Sequence, residues 1–415
     1  DRGATNYTYD EAGNLASKTD ARGKTTTYAY DALNRLNLET LDGGQAMTYT
    51  WDLNTNGIGR LTSVADASGS TSWLYDNFGA VTQDQRVVSG VTLTTGYTYD
   101  AAGRRISVTL PSGKVVTYGY MDHIPTSISI DSQLVLSGAT YEPFGPVAGW
   151  TWGDMTVSSR TFNIRGLMSS LSLAGDTRTL GYDPVGRIEA LDDARHDLDT
   201  TYDVIGRIKT FTSTAIPGGA ALPGSQVFNY DKNGNRTSLN EDGNVSNYTI
   251  SSTSNRLNAI TGVGATSYTY DAAGNTIGDG SHTYGYDDRG RLVTVDAGAV
   301  SYQHNALGQR VMKSSGGTTL YVYDDAGQLL GEYDAVGTPI QEHVFFAGAP
   351  VAVLQGLNTY EVHADHLGTP RAITDAGTVV WRWDSDPFGH IAPDEDPDGD
   401  STLFTYNLRF PGQYH

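Results

Sequence analysis

Short runs of alternating side chains recur along this chain, and the runs end in the same way. Residues 24–30 read Lys-Thr-Thr-Thr-Tyr-Ala-Tyr, with Tyr28 and Tyr30 two apart and so on one face of a strand. Thr and Tyr are good strand formers. Residues 19–23 and 31–34 predict turns, and residues 35–41 the return strand. The same Tyr-x-Tyr-Asp spacing recurs at Tyr7/Tyr9, Tyr97/Tyr99, Tyr268/Tyr270, Tyr284/Tyr286 and Tyr321/Tyr323, and at Tyr49/Trp51 before Asp52. One hairpin per repeat follows, with aromatic ladders packed between neighbouring repeats.

The pair Tyr-Asp occurs eleven times, at Tyr9, Tyr30, Tyr75, Tyr99, Tyr182, Tyr202, Tyr230, Tyr270, Tyr286, Tyr323 and Tyr333. Three residues after the aspartate stands a glycine in ten of them, and Asn34 in the other. Glycine and asparagine accept positive φ most readily, so this position predicts a left-handed backbone at a hairpin turn. The aspartate is expected to open the turn by accepting backbone N–H groups two or three residues on. Arginines that follow the glycine, such as Arg104, Arg187, Arg207 and Arg291, are expected to pair with a neighbouring repeat's aspartate on the sheet surface. Degenerate copies read as Phe162-Asn163-Ile164-Arg165-Gly166 and His304-Asn305-Ala306-Leu307-Gly308. Residues 111–152 carry no clean copy, and residues 215–224 (AIPGGAALPG) predict a Pro/Gly-rich surface loop inserted in one repeat. The fold class expected is all-β, one continuous antiparallel sheet of hairpins over residues 1–415 with almost no helix.

Composition changes this picture little. The 415 residues include 26 Tyr and 49 Gly, and only 18% are charged. The formal net charge of −20 argues against nucleic-acid or anionic-membrane binding by the chain as a whole. It fits either a solvated acidic surface or a wall that receives a basic cargo. The absence of cysteine excludes disulfides and thiolate metal sites. No apolar run approaches the ~18 residues that span a membrane as a helix. The opening Asp1-Arg2-Gly3 resembles the tail of an earlier repeat, and the chain reads as a fragment of something longer.

Eleven Tyr-Asp-x-x-Gly copies resemble the YD repeats of the RHS (rearrangement hotspot) family, which also occur in wall-associated proteins, the B and C subunits of insecticidal toxin complexes, and teneurins. His363-Ala364-Asp365-His366-Leu367-Gly368-Thr369-Pro370-Arg371, Asp386-Pro387-Phe388-Gly389 and Asn407-Leu408-Arg409-Phe410-Pro411-Gly412-Gln413-Tyr414 are similar to that family's approach to its core terminus. The resemblance implies a spiralling sheet of YD hairpins forming all or part of a hollow shell, with residues 1–338 as repeat shell and 339–415 as a core-associated segment of the same shell. It also implies a C-terminal toxin domain held as encapsulated cargo, secretion-system components as partners, and secretion or delivery as the location. The family's aspartyl-protease-like self-cleavage site would lie beyond His415, so the chain itself is expected to be non-catalytic. A cell-surface adhesion or carbohydrate-binding protein is the alternative class, since long Tyr-rich sheets can stack on sugars.

Two clusters carry candidate chemistry. His363, Asp365 and His366 combine acid–base and metal-ligand types. In a strand, however, His363 and Asp365 share a face and His366 points away, and hydrogen-bonded turn residues before Gly368 are the simpler reading. Asp394, Asp396, Asp398 and Asp400 sit at positions 1, 3, 5 and 7 of a run with Gly399 at 6, the opening of a calcium loop. Position 12 is Thr405 rather than a bidentate glutamate, so a solvated acidic loop stands beside calcium as the second reading. No other cofactor is implied.

Overall fold

The computed structural model describes residues 1–415 except Phe144 and Pro217. Among the described residues the structure is β throughout, and the one helical element is a three-residue 3-10 turn, Asp296–Gly298. Successive strands pair antiparallel through tight turns, as in Tyr202↔Ile208 and Tyr230↔Arg236. The register shifts by one residue beside the Tyr of these hairpins, for example between Thr201 and Tyr202. That bulge accommodates the left-handed turn residue.

The sheet is not continuous. Strands form sheets of 25, two and eleven members, with the breaks falling between residues 267 and 284. Strands there shrink to Thr266–Ser267, Thr269–Tyr270 and Thr276–Gly278. Gly262, Gly264, Gly274, Gly278 and Gly280 crowd this stretch, and glycine supplies no side chain to hold a strand against its neighbours.

The chain divides into two compact units, residues 1–114 with 248–340 and residues 115–247 with 341–415. In the first, Leu41, Met47, Val64 and Ala306 form a small core. Its two stretches are also joined by Arg289–Glu39 (2.6 Å) and Arg105–Asp325 (2.7 Å). In the second, Val353, Val362, Ile373, Trp381, Trp383, Phe404 and Tyr406 form a larger aromatic core. Leu198, Phe211 and Phe228 make a satellite cluster there.

Residues 111–152, which carry no clean copy, hold the hairpins expected of the whole chain, and Tyr141-Glu142 acts as a disguised copy; the expectation that changes is the loop. Glu142 N donates to Pro146 O (2.9 Å), Gly145 N donates to Glu142 O (2.9 Å), and Gly145 has φ 112°. The loop at 215–224, apart from Pro217, which lies outside the described residues, is docked. Leu222 packs on the Leu198 cluster, Ser213 Oγ donates to Pro223 O (2.9 Å), and His196 Nε2 lies 2.9 Å from Ala220 O. An apolar side chain in a Pro/Gly-rich loop finds cover where the fold leaves an apolar face open.

Candidate functional site

The Asp-x-x-Gly turn is the unit from which the wall is built. Asp203 Oδ1 accepts Ile205 N (3.0 Å) and Arg207 N (2.9 Å), while Gly206 N donates to Asp203 O (3.0 Å). The carboxylate therefore reaches two and four residues on, and the amide three on goes to the main-chain carbonyl. All eleven turn positions have positive φ, from 59° at Asn34 to 93° at Gly186 and Gly234.

At Arg104, Arg187 and Arg207 the arginine one residue further pairs with its own repeat's aspartate, which corrects the expected neighbour pairing, while Arg291 Nη1 donates to Asn305 O of the next copy (2.8 Å). Arg207 Nε donates to Asp203 Oδ2 at 2.6 Å, and Arg187 does the same to Asp183 at 2.6 Å. The return strand starts at this residue, within reach of the carboxylate that opened the turn. The link to the neighbour runs instead through the aromatic ring. The Arg207 guanidinium lies 4.5 Å from the Tyr230 ring centroid, and the Tyr230 hydroxyl donates back to Ile208 O (2.8 Å). Arg187 and Tyr202 repeat the arrangement at 4.5 Å, with Tyr202 donating to Ile188 O (2.5 Å). Trp51 substitutes its indole N–H, donating to Leu36 O (2.9 Å). Arg35 combines both modes, bonding Asp31 (2.7 Å) and the next repeat's Asp52 (2.6 Å). Where an arginine occupies this position, as at Arg187 and Arg207, the next hairpin is thus clasped by a hydroxyl and a cation–π contact, and at Tyr30, Tyr99, Tyr182 and Tyr286 the hydroxyl donates to the preceding hairpin.

The histidine–aspartate cluster turns out to be one more such turn, now buried. Asp365 Oδ1 accepts Leu367 N (2.9 Å) and Thr369 N (3.0 Å), Oδ2 accepts Arg371 Nε (2.8 Å), and Gly368 has φ 85°. Burial raises the Asp365 carboxyl, but the Arg371 charge and the hydrogen bonds outweigh it and hold it below the ordinary carboxylate value. His363 is buried and its Nε2 lies 2.9 Å from Thr374 Oγ1, which donates to Glu361 Oε2 (2.9 Å). Desolvation lowers His363 to about 4. These three residues therefore do not converge as ligands.

The acidic run behaves differently at its two ends. Asp396, Asp398 and Asp400 bring ligand oxygens within 4.8 Å of one another. Asp394 stands apart, tied by its backbone to Arg382 (2.9 and 2.8 Å). Asp400 Oδ1 accepts Thr402 N (2.6 Å) and Asp396 Oδ1 accepts Ser401 N (3.3 Å), so part of their acceptor capacity is used locally.

Sequence reasoning missed a cavity of about 210 Å³ in the second unit, lined by apolar side chains such as Leu198, Phe211 and Phe410 together with Arg178, His196, His366, Arg371, Asp384 and Asp386. Ion pairs surround it: Arg178–Asp193 (2.6 Å), Arg195–Asp384 (3.0 Å) and Arg371–Asp365 (2.8 Å). Gln226 Nε2 also donates to Asp386 Oδ2 (3.0 Å). The Asp386-Pro387-Phe388-Gly389 signature was the visible trace of it, since Asp386 also opens a turn with His390 N (2.9 Å).

Known proteins share this architecture. The teneurin YD-shell model matches residues 177–407, more than half of the chain, and the RHS repeat model matches residues 9–46, 85–115 and 99–127. The chain belongs to the teneurin YD-shell family. Among solved structures, a Photorhabdus luminescens Tc holotoxin pore carrying a TccC3 substitution aligns over 99% of this chain and 24% of its own, with TM-score 0.79 and 17% identity. The TcdB2–TccC3 complex without its hypervariable C-terminal region aligns over 100% of this chain and 25% of its own, with TM-score 0.80 and 16% identity. In sequence, the tRNA3(Ser)-specific nuclease WapA of Bacillus spizizenii and the tRNA nuclease WapA of Bacillus subtilis are each 28% identical over 180 residues, 41% of this chain. The matched part is 8% of each WapA protein. No helix among the described residues is long and apolar enough to cross a membrane.

Proposed function

We propose that this chain is wall of an encapsulating shell that sequesters a toxic polypeptide for delivery, and that its own part is steric rather than catalytic. The observation that carries this reading is the match along nearly the whole chain to TccC3-containing complexes, one of which is solved without a hypervariable C-terminal region. A wall of this kind needs repeats that interlock, and the hydroxyl and cation–π clasps supply that. The proposed partners are a C-terminal toxin domain as cargo and the components of a bacterial secretion route.

The test is to express residues 1–415 joined to the segment that follows His415 in the natural gene, and to digest the product with a broad protease. The downstream polypeptide should survive conditions that destroy it when expressed alone. Equal digestion in both forms contradicts sequestration. Residues 1–415 incubated alone should stay intact by mass spectrometry, and cleavage at a defined internal bond would place chemistry inside this chain.

A further inference from the structure

The second unit holds a cavity of about 380 Å³ that the shell role does not use. Its lining includes Tyr141, Trp150, Arg160, Phe346, Asp365 and His366. The volume falls within the ~300–1,000 Å³ range of ligand sites, and an apolar, aromatic body with a few polar groups is their common composition.

Arg160 sits in strand Val157–Phe162 opposite Leu171. Its guanidinium lies 4.3 Å from the Trp150 ring centroid, and Trp150 packs edge-on against Phe346 at 6.0 Å. Arg160 has no hydrogen bond or ion pair with any described residue, and its Nη1 is sealed from solvent without a partner. Burial alone disfavours its charged form. Two further nitrogens on the same lining are sealed and unpartnered, Trp150 Nε1 and His366 Nδ1. The guanidinium and the indole are donors only. The one carboxylate on the lining, Asp365, is already taken up by Arg371, Leu367 and Thr369. The charge of Arg160 therefore meets no free carboxylate on this lining, and the Trp150 Nε1 donor meets no acceptor. Arg160 is half-buried with one guanidinium nitrogen sealed and unpartnered, and a partly desolvated cation of this kind favours an anion beside it.

We propose that this cavity binds a carboxylate, with Arg160 as its ionic partner and the Tyr141, Trp150 and Phe346 rings holding an aromatic or aliphatic body. The planar fork of arginine matches a carboxylate, and stacking on Trp150 presents that fork in a fixed plane. The carboxylate can come from a free organic acid or from an acidic side chain of a peptide.

Calorimetric titration of residues 1–415 with benzoate, benzamide, the blocked dipeptide acetyl-Phe-Glu-amide and inorganic phosphate tests this. Either benzoate or the peptide should bind with a Kd of about 1 mM or tighter. Benzoate binding identifies a small acid as the source, and peptide binding alone an acidic segment. Benzamide should not bind. Arg160→Met removes a partly desolvated charge that has no ion partner, so it should fold with an equal or higher Tm while weakening the carboxylate about tenfold or more. Arg160→Lys should retain part of the affinity. Equal binding by the Met variant, equal affinity for benzamide or phosphate, or no binding by either carboxylate overturns the proposal.

Discussion

Two copies of one turn, at Asp203 and at Asp365, differ in almost nothing local. Each aspartate accepts the amides two and four residues on, each holds an arginine Nε, and each turn closes on a glycine with φ near 85–88°. Their surroundings differ sharply. Asp203 is half-buried, and its arginine rests on one tyrosine of the next hairpin. Asp365 is 4% exposed, and Arg371 is enclosed by Trp383 (5.3 Å), Phe410 (5.8 Å) and Ser385 Oγ (3.0 Å). The turn's geometry is a local property, whereas its energetic weight is set by what the rest of the unit packs around it.

The largest expected effect separates these two copies. Asp365→Ala leaves Arg371 buried and unpaired and should cost about 3–5 kcal/mol. Asp203→Ala leaves Arg207 free to reach water, and its loss should be clearly smaller. Urea melts of both variants check this, and equal losses would erase the distinction.

A pH series comes next. His363 is held at about 4 against an ordinary 6.5, so it is neutral when folded and protonated sooner when unfolded. Its contribution is complete above pH 6.5 and is lost as pH falls from there through about 4. His363→Gln should flatten that part of the stability profile. An unchanged slope would mean that His363 is solvated.

Glycine substitutions sharpen the local half of the comparison. Gly186→Val and Gly206→Val force a β-branched residue into left-handed backbone and should each cost about 1–3 kcal/mol. At Gly186 an added Cβ also falls 3.1 Å from Arg165 Nη2. Wild-type melting temperatures in both would refute the turn reading. The smallest effect is expected at Asp396, Asp398 and Asp400, where chelation should leave the Tm unchanged. A calcium-dependent rise would turn this surface loop into a metal site.

Much of the fold was legible because its signals are short-range. The Tyr-Asp-x-x-Gly spacing contains the strand, the turn and the bulge within a few residues, and even Asn163 and Asn305 could be recognised as substitutes. Glu142 escaped because its copy has a longer carboxylate and two prolines, although the backbone bonds are the same. What the local pattern could not carry was burial. Arg160 alternates in its strand like any exposed arginine, and only contacts with residues nearly two hundred positions away place Phe346 beside its tryptophan partner. Leu222 likewise reads as part of a Pro/Gly-rich surface loop until Leu198, Phe211 and Phe228 come together beneath it. The arginine pairing was misjudged for a geometric reason: at Arg187 and Arg207 the aspartate four residues back lies within direct reach of Nε.

The central proposal, sharpened to a cargo that is sheltered while unfolded, is tested most directly by hydrogen–deuterium exchange on residues 1–415 expressed together with the gene's downstream segment. The segment following His415 should exchange as fast as an unfolded chain while resisting protease, and the core strands Ala349–Gln355 and Pro370–Asp375 should exchange slowly. A downstream segment with slow, folded exchange that protease removes readily would contradict the account.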